Sequence, residues 1–480
     1  MLDKPTTTPP HSDLGKAGLM EILDRQRAAH LAAGPLSAAA RIEWLDRLIG
    51  LVVDNHDEIA HVLSVDFGGR SREATLLADV VSVLGSLKQA KANLEDWMQP
   101  VACAGMFPDA VARVEYHSLG VVGAISPWNF PFALSFAPLA GIVAAGNRCM
   151  IKPSELTPAS SALIARMIAS AFDASEIAVV TGGAETGRAF AELPFDHLLF
   201  TGSGSVGRHV MRAAADNLVP VTLELGGKCP VIVSKRASIS DAAARILTVK
   251  TLNAGQICLA PDFVLLPEGQ VDAFTEAAGR AVAAMYPTLL SNPDYTSIIN
   301  RRHFDRLRGY LDDARAKGAT VTELNPAGES FDGNACRLPP TLVAGVSDDM
   351  EVMQDEIFGP ILPIRTYGDV EEAISYVNTK PTPLALYYFG AGDEERRVLD
   401  RTRSGGVTVN DVMTHAFVEE LPFGGAGPSG VGAYHGKAGF LNFSHARSIY
   451  HQSKAVEAEY MLRPPFGEPM RAFLKTAITR

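Results

Sequence analysis

The spacing of apolar and polar positions divides the chain into a helical first part and a longer alternating part. From residue 38 to residue 98, apolar side chains recur every three or four positions, which places them on one face of a helix. Pro100 follows this stretch, and proline lacks the backbone donor that a helix needs. We therefore predict that the first hundred residues are mainly helical.

Short apolar runs alternate with segments of helical period between residues 111 and about 410. A first series covers residues 120–217 and a second begins near residue 230, whereas residues 415–480 are glycine-rich and then irregular. Strands and helices that alternate at these lengths are typical of α/β proteins with parallel sheets. We therefore predict an α/β fold whose ligands bind at the carboxyl ends of the strands.

Composition narrows the class of protein. The 480 residues carry 54 acidic and 43 basic side chains, a net charge of −11, without a basic run that could follow a phosphate backbone. No apolar run reaches the ~18 residues that a membrane-spanning helix needs, and the N-terminus lacks the pattern of a secretory signal. We expect a cytoplasmic protein that binds neither nucleic acid nor membrane, with a short disordered lead at residues 1–15.

Five widely scattered cysteines, an odd number, indicate reduced thiols. Cys258 stands alone in "LNAGQICLAPD", after an amphipathic helix, and no His follows it at the spacing of a metal site. A thiol becomes a nucleophile when helix ends or cations lower its pKa. A lone buried cysteine is more often a small apolar residue, so the local sequence leaves both interpretations open.

Two further residues could serve chemistry at such a thiol. Glu224 lies between apolar neighbours in "VTLELGG", and burial would raise its pKa toward that of a general base. Asn129 lies between aromatic residues in "SPWNFPF", where a fixed amide could stabilise an oxyanion. The alternatives are an acid that faces solvent on an edge strand and an asparagine that merely forms a turn.

A glycine-rich loop and a charged turn each follow a predicted strand. In "FTGSGSVGR", Gly202, Gly204 and Gly207 match the dinucleotide pattern, although a tight strand-to-helix turn explains them equally well. In "IKPSELTP", Lys152 and Glu155 could contact the hydroxyl groups of a ribose. That stretch alone favours a surface lysine and a helix-capping glutamate.

Seven motifs taken together are similar to those of a known family. They are "SPWNFP", "KPSE", "FTGSGSVG", "LELGGK", "GQIC", "EIFGP" and "PFGGAGPSG", and they occur in the order found in NAD(P)-dependent aldehyde dehydrogenases. The resemblance runs from about residue 20 to residue 455 and is strongest to the class-three branch, including its bacterial members that act on coniferyl aldehyde.

The resemblance implies a role for each motif. Cys258 would be the nucleophile, Glu224 the general base, and Asn129 the oxyanion donor together with the backbone N–H of Cys258. The residues implied in cofactor binding are Lys152 and Glu155 at the adenosine ribose, Gly202, Ser203 and Gly207 at the pyrophosphate, and Glu356 and Phe358 at the nicotinamide half. Gly204 receives no role, because this position varies within the family.

The resemblance also implies the reaction, an oxidation of an aldehyde to the acid through a thiohemiacetal and a thioester on Cys258. An aromatic or α,β-unsaturated aldehyde such as coniferyl aldehyde is the expected substrate, and a medium-chain or long-chain aliphatic aldehyde is the alternative. A non-catalytic dinucleotide-binding relative is the less favoured reading, because Cys258, Glu224 and Asn129 are all present. Glu155 would repel the 2′-phosphate of NADP and so favours NAD, although NADP use stays open.

The fold implied by the resemblance has two Rossmann-like domains and a small β module. Residues 1–110 and 120–229 would form the NAD-binding domain, and residues 230–415 the catalytic domain with its nucleophilic cysteine. Residues 111–119 and 435–480 would form an oligomerisation module. The expected assembly is therefore a homodimer or a larger homo-oligomer.

Overall fold

The computed structural model describes residues 12–454 and 463–479, apart from residues 106, 108, 332 and 334. Most of the expected disordered lead lies outside these residues, and so do residues 455–462 and 480 of the expected oligomerisation module.

Helices form the first hundred residues, as the apolar spacing predicts. The helix Ala38–Asp54 begins at Ser37, whose hydroxyl group accepts a hydrogen bond from the amide of Ala40. It packs its apolar face, which includes Trp44, against the last helix of this part. A short π-helical turn, a feature often found at functional sites, interrupts the series. The helices are Lys16–Ala33, Ala38–Asp54, His56–Phe67, Arg72–Thr75, Leu76–Val81 (the π turn) and Ser82–Trp97.

The first sheet has six strands, of which five are parallel and the edge strand Gly430–Val431 is antiparallel. The chain builds the sheet outward from Val121–Ile125, first on one side of this strand and then on the other. Where the direction changes, a crevice opens between Val121–Ile125 and His197–Gly202. Across the sheet the strands are Gly430–Val431, Val221–Leu225, His197–Gly202, Val121–Ile125, Arg148–Lys152 and Ile177–Val179. Its helices are Ala133–Ala144, Pro158–Ala171, Ala184–Ala191 and Gly204–Ala215.

The second sheet has seven strands, parallel except for the edge strand Thr320–Glu323. Across the sheet they are Thr320–Glu323, Thr341–Ala344, Ile361–Tyr367, Phe263–Pro267, Pro230–Val233, Ala385–Phe389 and Gly406–Val409. Its α-helices are Ile239–Thr251, Val271–Met285, Arg301–Ala316, Glu351–Gln354, Val370–Thr379 and Asp393–Arg401, and single 3₁₀ turns lie at Leu252–Gly255 and Thr414–Phe417.

The third sheet is antiparallel, with the strands Val101–Cys103, Val111–Ser118 and Ser444–His451. The prediction of an irregular tail is wrong here, because Ser444–His451 pairs along its whole length with Val111–Ser118. Its side chains are mostly exposed, so no regular alternation of apolar residues marks it in the sequence. Two helices complete the described chain, Gly436–Asn442 and the mostly exposed Glu468–Ala477.

Apolar cores cover both faces of each large sheet. Within one strand, Cys149 and Ile151 belong to the core on one face and Met150 to the core on the other. Buried parallel strands of this kind read as continuous apolar runs. None of the described helices is long and apolar enough to cross a bilayer.

The two large sheets approach each other with different edges, the first with the carboxyl ends of its strands and the second with the amino ends. Asn129 and Gly202 lie where strands of the first sheet end, at its carboxyl edge. Cys258 lies in the loop that precedes Phe263–Pro267, so the second sheet contributes its amino edge to the same cavity. The expectation that ligands bind at carboxyl ends therefore describes the first sheet only.

Candidate active site

A cavity of about 640 Å³ lies where the two large sheets meet. Residues from distant parts of the sequence meet in its wall, and three of the predicted site residues, Lys152, Glu155 and Gly207, lie outside it. The predicted site residues in the wall are Asn129, Gly202, Ser203, Glu224, Cys258, Glu356 and Phe358.

The loop before Cys258 has a constrained backbone. Asn253 and Ala254 have φ angles of 49° and 52°, in the left-handed region that residues with a Cβ rarely adopt. The buried amide of Gln256 donates hydrogen bonds to two backbone carbonyls at 2.9 and 3.1 Å and accepts one from a backbone amide at 2.9 Å. Gln256 lies two residues before Cys258, so these three bonds hold the backbone of the loop that carries the thiol.

The surroundings of the Cys258 thiol raise its pKa and so favour the protonated form. Burial, reinforced by the carboxyl groups of Glu356 and Glu224, raises its pKa to about 12. The backbone amides of Cys258 and Leu259 oppose this shift, because they donate toward the sulfur. The thiol therefore needs a base or a nearby positive charge before it can attack a carbonyl carbon.

A second thiol supports the same loop. Cys229 is fully buried, and its Sγ donates a hydrogen bond to the carbonyl oxygen of Cys258 at 3.4 Å. Burial raises the pKa of Cys229 well above its usual range, so this thiol stays protonated. Cys258 is the cysteine that reaches the cavity wall in the described part of the chain.

Asn129 is held at both its side chain and its backbone. Its Nδ2 donates to the carbonyl oxygen of Gln256 at 3.2 Å, which leaves its second N–H hydrogen for another acceptor. Its own carbonyl oxygen accepts from Arg70 at 2.8 Å and from Asn253 at 3.2 Å. The amide is thus fixed relative to the loop of Cys258, as a group that stabilises developing charge must be.

Arg70 in turn belongs to a buried ion pair. Its Nη2 lies 2.7 Å from Oδ2 of Asp79, and both side chains are almost completely buried. Oδ1 of Asp79 accepts from the amides of Phe132 and Ala133 at 3.2 and 3.1 Å. The π-helical turn that carries Asp79 thereby anchors the segment that follows Asn129.

Replacement of Asp79 by asparagine is expected to lower the free energy of unfolding by about 3 kcal/mol, because it leaves the Arg70 charge buried without its partner. Activity is expected to fall as well, since Arg70 holds the backbone of Asn129. Thermal unfolding and initial rates measure the two effects. Asp46→Asn is the control, because its ion pair with Lys91 is exposed. Equal effects of the two variants would contradict this structural role.

Glu224 is a buried acid on an inner strand of the first sheet. Its strand lies between two neighbours, so the alternative of an acid on an edge strand facing solvent is excluded. Neither carboxylate oxygen has a hydrogen-bond partner among the described residues, and burial raises its pKa well above the usual range. Because it lines the cavity with Cys258, it can accept a proton there once it is ionised.

Glu356 and Phe358 form another part of the wall. A Cβ at Gly226 would overlap the carboxylate of Glu356, so only glycine allows this approach. Burial, together with the nearby Asp262, raises the pKa of Glu356 to about 8, and its Oε1 has no partner among the described residues. Phe358 has a φ of 51° and packs edge-on against the Trp128 ring, with centroids 5.3 Å apart.

The charged turn and the glycine loop differ in their relation to the cavity. Lys152 is buried, and its Nζ lies 2.8 Å from the partly exposed Glu155. The alternative interpretation, in which Lys152 is a surface residue, is therefore wrong. Ser203 caps the helix Gly204–Ala215 at the cavity, where backbone amides and the helix dipole favour an anion. A Cβ at Gly207 would lie 2.6 Å from Leu225, so this glycine permits close packing of helix and strand.

The described residues contain no group of three or more His, Cys, Asp or Glu side chains that could hold a metal ion.

The pattern of the aldehyde dehydrogenase family matches residues 10–449, nearly the whole chain. The chain belongs to the aldehyde dehydrogenase family. It is 56% identical over 468 residues to a coniferyl aldehyde dehydrogenase from a Pseudomonas species, with 97% of each chain covered.

Two solved structures of similar fold support the assignment of this chain to the aldehyde dehydrogenase family. Substrate-bound AldH from Staphylococcus aureus has a TM-score of 0.90 at 36% identity and covers 96% of this chain and 99% of its own. An indole-3-acetaldehyde dehydrogenase from P. syringae, solved with NAD⁺, has a TM-score of 0.82 at 26% identity, with 91% and 89% covered. The predicted α/β fold and an oxidation that depends on NAD or NADP are confirmed.

Sequence analysis did not select four residues that fix this aldehyde dehydrogenase site: Arg70, Asp79, Asn253 and Gln256. The only signal for the last two is their place within a few residues of Cys258. Asp79 lies in an ordinary helical pattern and Arg70 in the short segment between two helices, and nothing in the sequence shows that the two side chains are buried as a pair.

Proposed function

We propose that this aldehyde dehydrogenase oxidises an aromatic or α,β-unsaturated aldehyde, such as coniferyl aldehyde, to its carboxylic acid through Cys258. The observation that carries the proposal is the 56% identity over 97% of the chain to a coniferyl aldehyde dehydrogenase. Identity of this extent, together with the cavity described above, supports a related substrate class.

Aromatic side chains in the cavity wall also support this substrate class. Phe423 stacks against the ring of His435, with centroids 5.0 Å apart and planes 18° apart, and meets Tyr434 edge-on at 5.8 Å. Phe130 and Phe417 line the same cavity. Flat aromatic walls favour a planar conjugated substrate, because offset and edge-on ring contacts add to the burial of apolar surface.

The first step belongs to Cys258 and Glu224. Ionised Glu224 accepts the thiol proton, and the sulfur attacks the aldehyde carbon to form a thiohemiacetal. The aldehyde oxygen becomes an alkoxide, which accepts hydrogen bonds from Asn129 Nδ2 and from the backbone N–H of Cys258. The fixed position of the Asn129 amide supports this assignment.

The residues of the cavity fit a dinucleotide cofactor. Oε1 of Glu356 is a buried acceptor with no partner in the described part of the chain, and it suits a ribose hydroxyl group. Ser203 begins a helix whose amides suit a pyrophosphate. Lys152 and Glu155 would hold the adenosine ribose, and Phe358 would contact the nicotinamide. When bound, the oxidised nicotinamide accepts the hydride that leaves the substrate carbon, and a thioester on Cys258 remains.

Glu224 completes the reaction. After it has released the thiol proton to solvent, Glu224 accepts a proton from a water molecule, whose oxygen attacks the thioester carbon. The carbon–sulfur bond then breaks, the acid leaves, and the thiolate of Cys258 takes up a proton. A base is needed twice, and Glu224 meets this need because it has no competing hydrogen-bond partner among the described residues.

The test is the formation of acid from coniferyl aldehyde, benzaldehyde and decanal, each with NAD and with NADP. Chromatography is the method of choice, because conjugated aldehydes absorb where the reduced cofactor does. Faster oxidation of the aromatic aldehydes supports the proposal. A preference for decanal would replace it with an aliphatic substrate.

The identity of residue 155 is expected to set cofactor preference. Glu155→Gln should raise kcat/KM with NADP relative to NAD by about tenfold or more, because a carboxylate no longer opposes the 2′-phosphate. Glu185→Gln, on an exposed helix position, is the control that changes the same charge. An unchanged NADP/NAD ratio in Glu155→Gln would remove Glu155 from the cofactor site.

The proposal includes the predicted domain limits and self-association. Residues 120–229 and 230–415 would carry cofactor and substrate chemistry, and the third sheet would join two copies. Ser444–His451 is an edge strand with mostly exposed side chains, and such an edge favours pairing with another chain.

A further inference from the structure

A polar pair lies in the cavity wall among the aromatic residues. Ser86 Oγ donates a hydrogen bond of 2.6 Å to Oε1 of Glu419, which links two segments 333 positions apart. The second carboxylate oxygen, Oε2, is buried and has no hydrogen-bond partner among the described residues. The mechanism above uses neither residue, although both line the cavity.

The polar pair shares the cavity wall with Cys258 and with Tyr434. Tyr434 lies near Glu224, Cys258 and Glu419, since after burial, which is the largest cause, each of these groups raises its pKa. A substrate in this cavity can therefore contact the polar pair while its carbonyl carbon lies at the sulfur.

Burial of Oε2 of Glu419 without a hydrogen-bond donor among the described residues costs free energy. A buried acceptor without a donor loses its interaction with water and gains none in return. Burial raises the pKa of Glu419, and the neighbouring Glu420 adds to this rise, whereas the Ser86 hydroxyl group lowers it. A substrate that places an O–H group against Oε2 would remove the cost of this unmade bond.

We propose that Ser86 and Glu419 recognise the ring hydroxyl group of a phenolic aldehyde whose carbonyl carbon lies at Cys258. The phenol O–H donates to Oε2 of Glu419, and Ser86 holds the carboxylate in the orientation that accepts it. The pair thus selects hydroxylated aromatic aldehydes over those without a donor. The inference rests on the proposed function and specifies its substrate class.

The test compares coniferyl aldehyde with 3,4-dimethoxycinnamaldehyde, in which a methyl ether replaces the phenol and cannot donate. The native enzyme is expected to prefer coniferyl aldehyde by about 10- to 100-fold in kcat/KM, mainly through KM, because a hydrogen bond to a charged group is involved. Glu419→Leu and Ser86→Ala should each reduce this preference by about tenfold. Glu420→Leu is the matched control, since Glu420 is an exposed neighbour, and should keep the preference.

The outcomes separate this inference from the proposed function. If both compounds are oxidised with equal kcat/KM, or if Glu419→Leu and Ser86→Ala keep the full preference, the inference is overturned and the proposed function stands. If neither compound is oxidised, both are overturned. If Glu419→Leu does not fold, Ser86→Ala decides alone, because a ratio within one variant does not depend on the amount of folded protein.

Discussion

Replacement of Cys258 by alanine is expected to lower kcat/KM for coniferyl aldehyde by about 10⁴-fold or more. Alanine has no sulfur to form the thiohemiacetal, and in the described structure no other cysteine reaches the cavity wall. Cofactor binding should persist, since Cys258 contributes no ribose or pyrophosphate contact in the proposed site. Acid formation measured by chromatography gives the rate, and titration of cofactor fluorescence quenching gives the binding constant.

The control for this experiment is Cys229→Ala. Cys229 supports the same loop through its hydrogen bond to the carbonyl of Cys258, but its sulfur is fully buried. Its loss should change activity by less than about tenfold, since one weak hydrogen bond is removed. Residual activity of Cys258→Ala comparable to that of Cys229→Ala would contradict the nucleophilic role of Cys258.

Replacement of Glu224 by glutamine is expected to lower kcat by about 10²- to 10⁴-fold, because an amide cannot accept a proton from the hydrolytic water. Where the thiol still reacts slowly, the thioester accumulates. A rapid-quench experiment should then show at most one reduced cofactor per active site, followed by a very slow phase. Glu192→Gln is the control, because Glu192 is exposed and pairs with Lys16.

The pH dependence follows from the pKa of the same residue. Burial raises the pKa of Glu224 above its usual value near 4.5, so the protonated form persists to higher pH. Only the ionised form is a base, and thioester hydrolysis should therefore increase as pH rises through the raised pKa. The Glu224→Gln variant should lose this increase. If the variant kept the native pH profile, a different group would be the base.

Part of the fold is predictable from the sequence because burial and local pattern agree. The apolar run at Arg148–Lys152 is buried on both faces, so it marks a strand of a parallel sheet. Ser444–His451 has the opposite character, since it is exposed and is defined by its long-range pairing with Val111–Ser118. Local pattern carries no information about such a partner, so the spacing of apolar residues does not predict this strand.

The active site is predictable to a similar, limited extent. An acid among apolar neighbours indicated burial of Glu224, and the structure shows that burial. The seven motifs together imply a reactive thiol at Cys258, but they do not indicate that the second sheet presents its amino edge to the cavity. Edge orientation depends on how the two sheets pack, which no local motif records.

The supporting residues were beyond the reach of sequence reasoning for a physical reason. Arg70 and Asp79 are charged residues in a helical region, where exposure is the usual state. Ser86 and Glu419 meet across 333 positions. Their roles arise from pairing in the folded chain, and a single sequence does not contain that information.

The most direct measurement is the mass of the acyl group trapped on the enzyme. Glu224→Gln is mixed with coniferyl aldehyde and NAD, quenched in acid, digested and analysed by mass spectrometry. The proposed function predicts a feruloyl thioester on the peptide that contains Cys258 and unmodified peptides for the other four cysteines, Cys103, Cys149, Cys229 and Cys336. A feruloyl group on another cysteine, or coniferyl aldehyde oxidised with no thioester detected at any quench time, would contradict it.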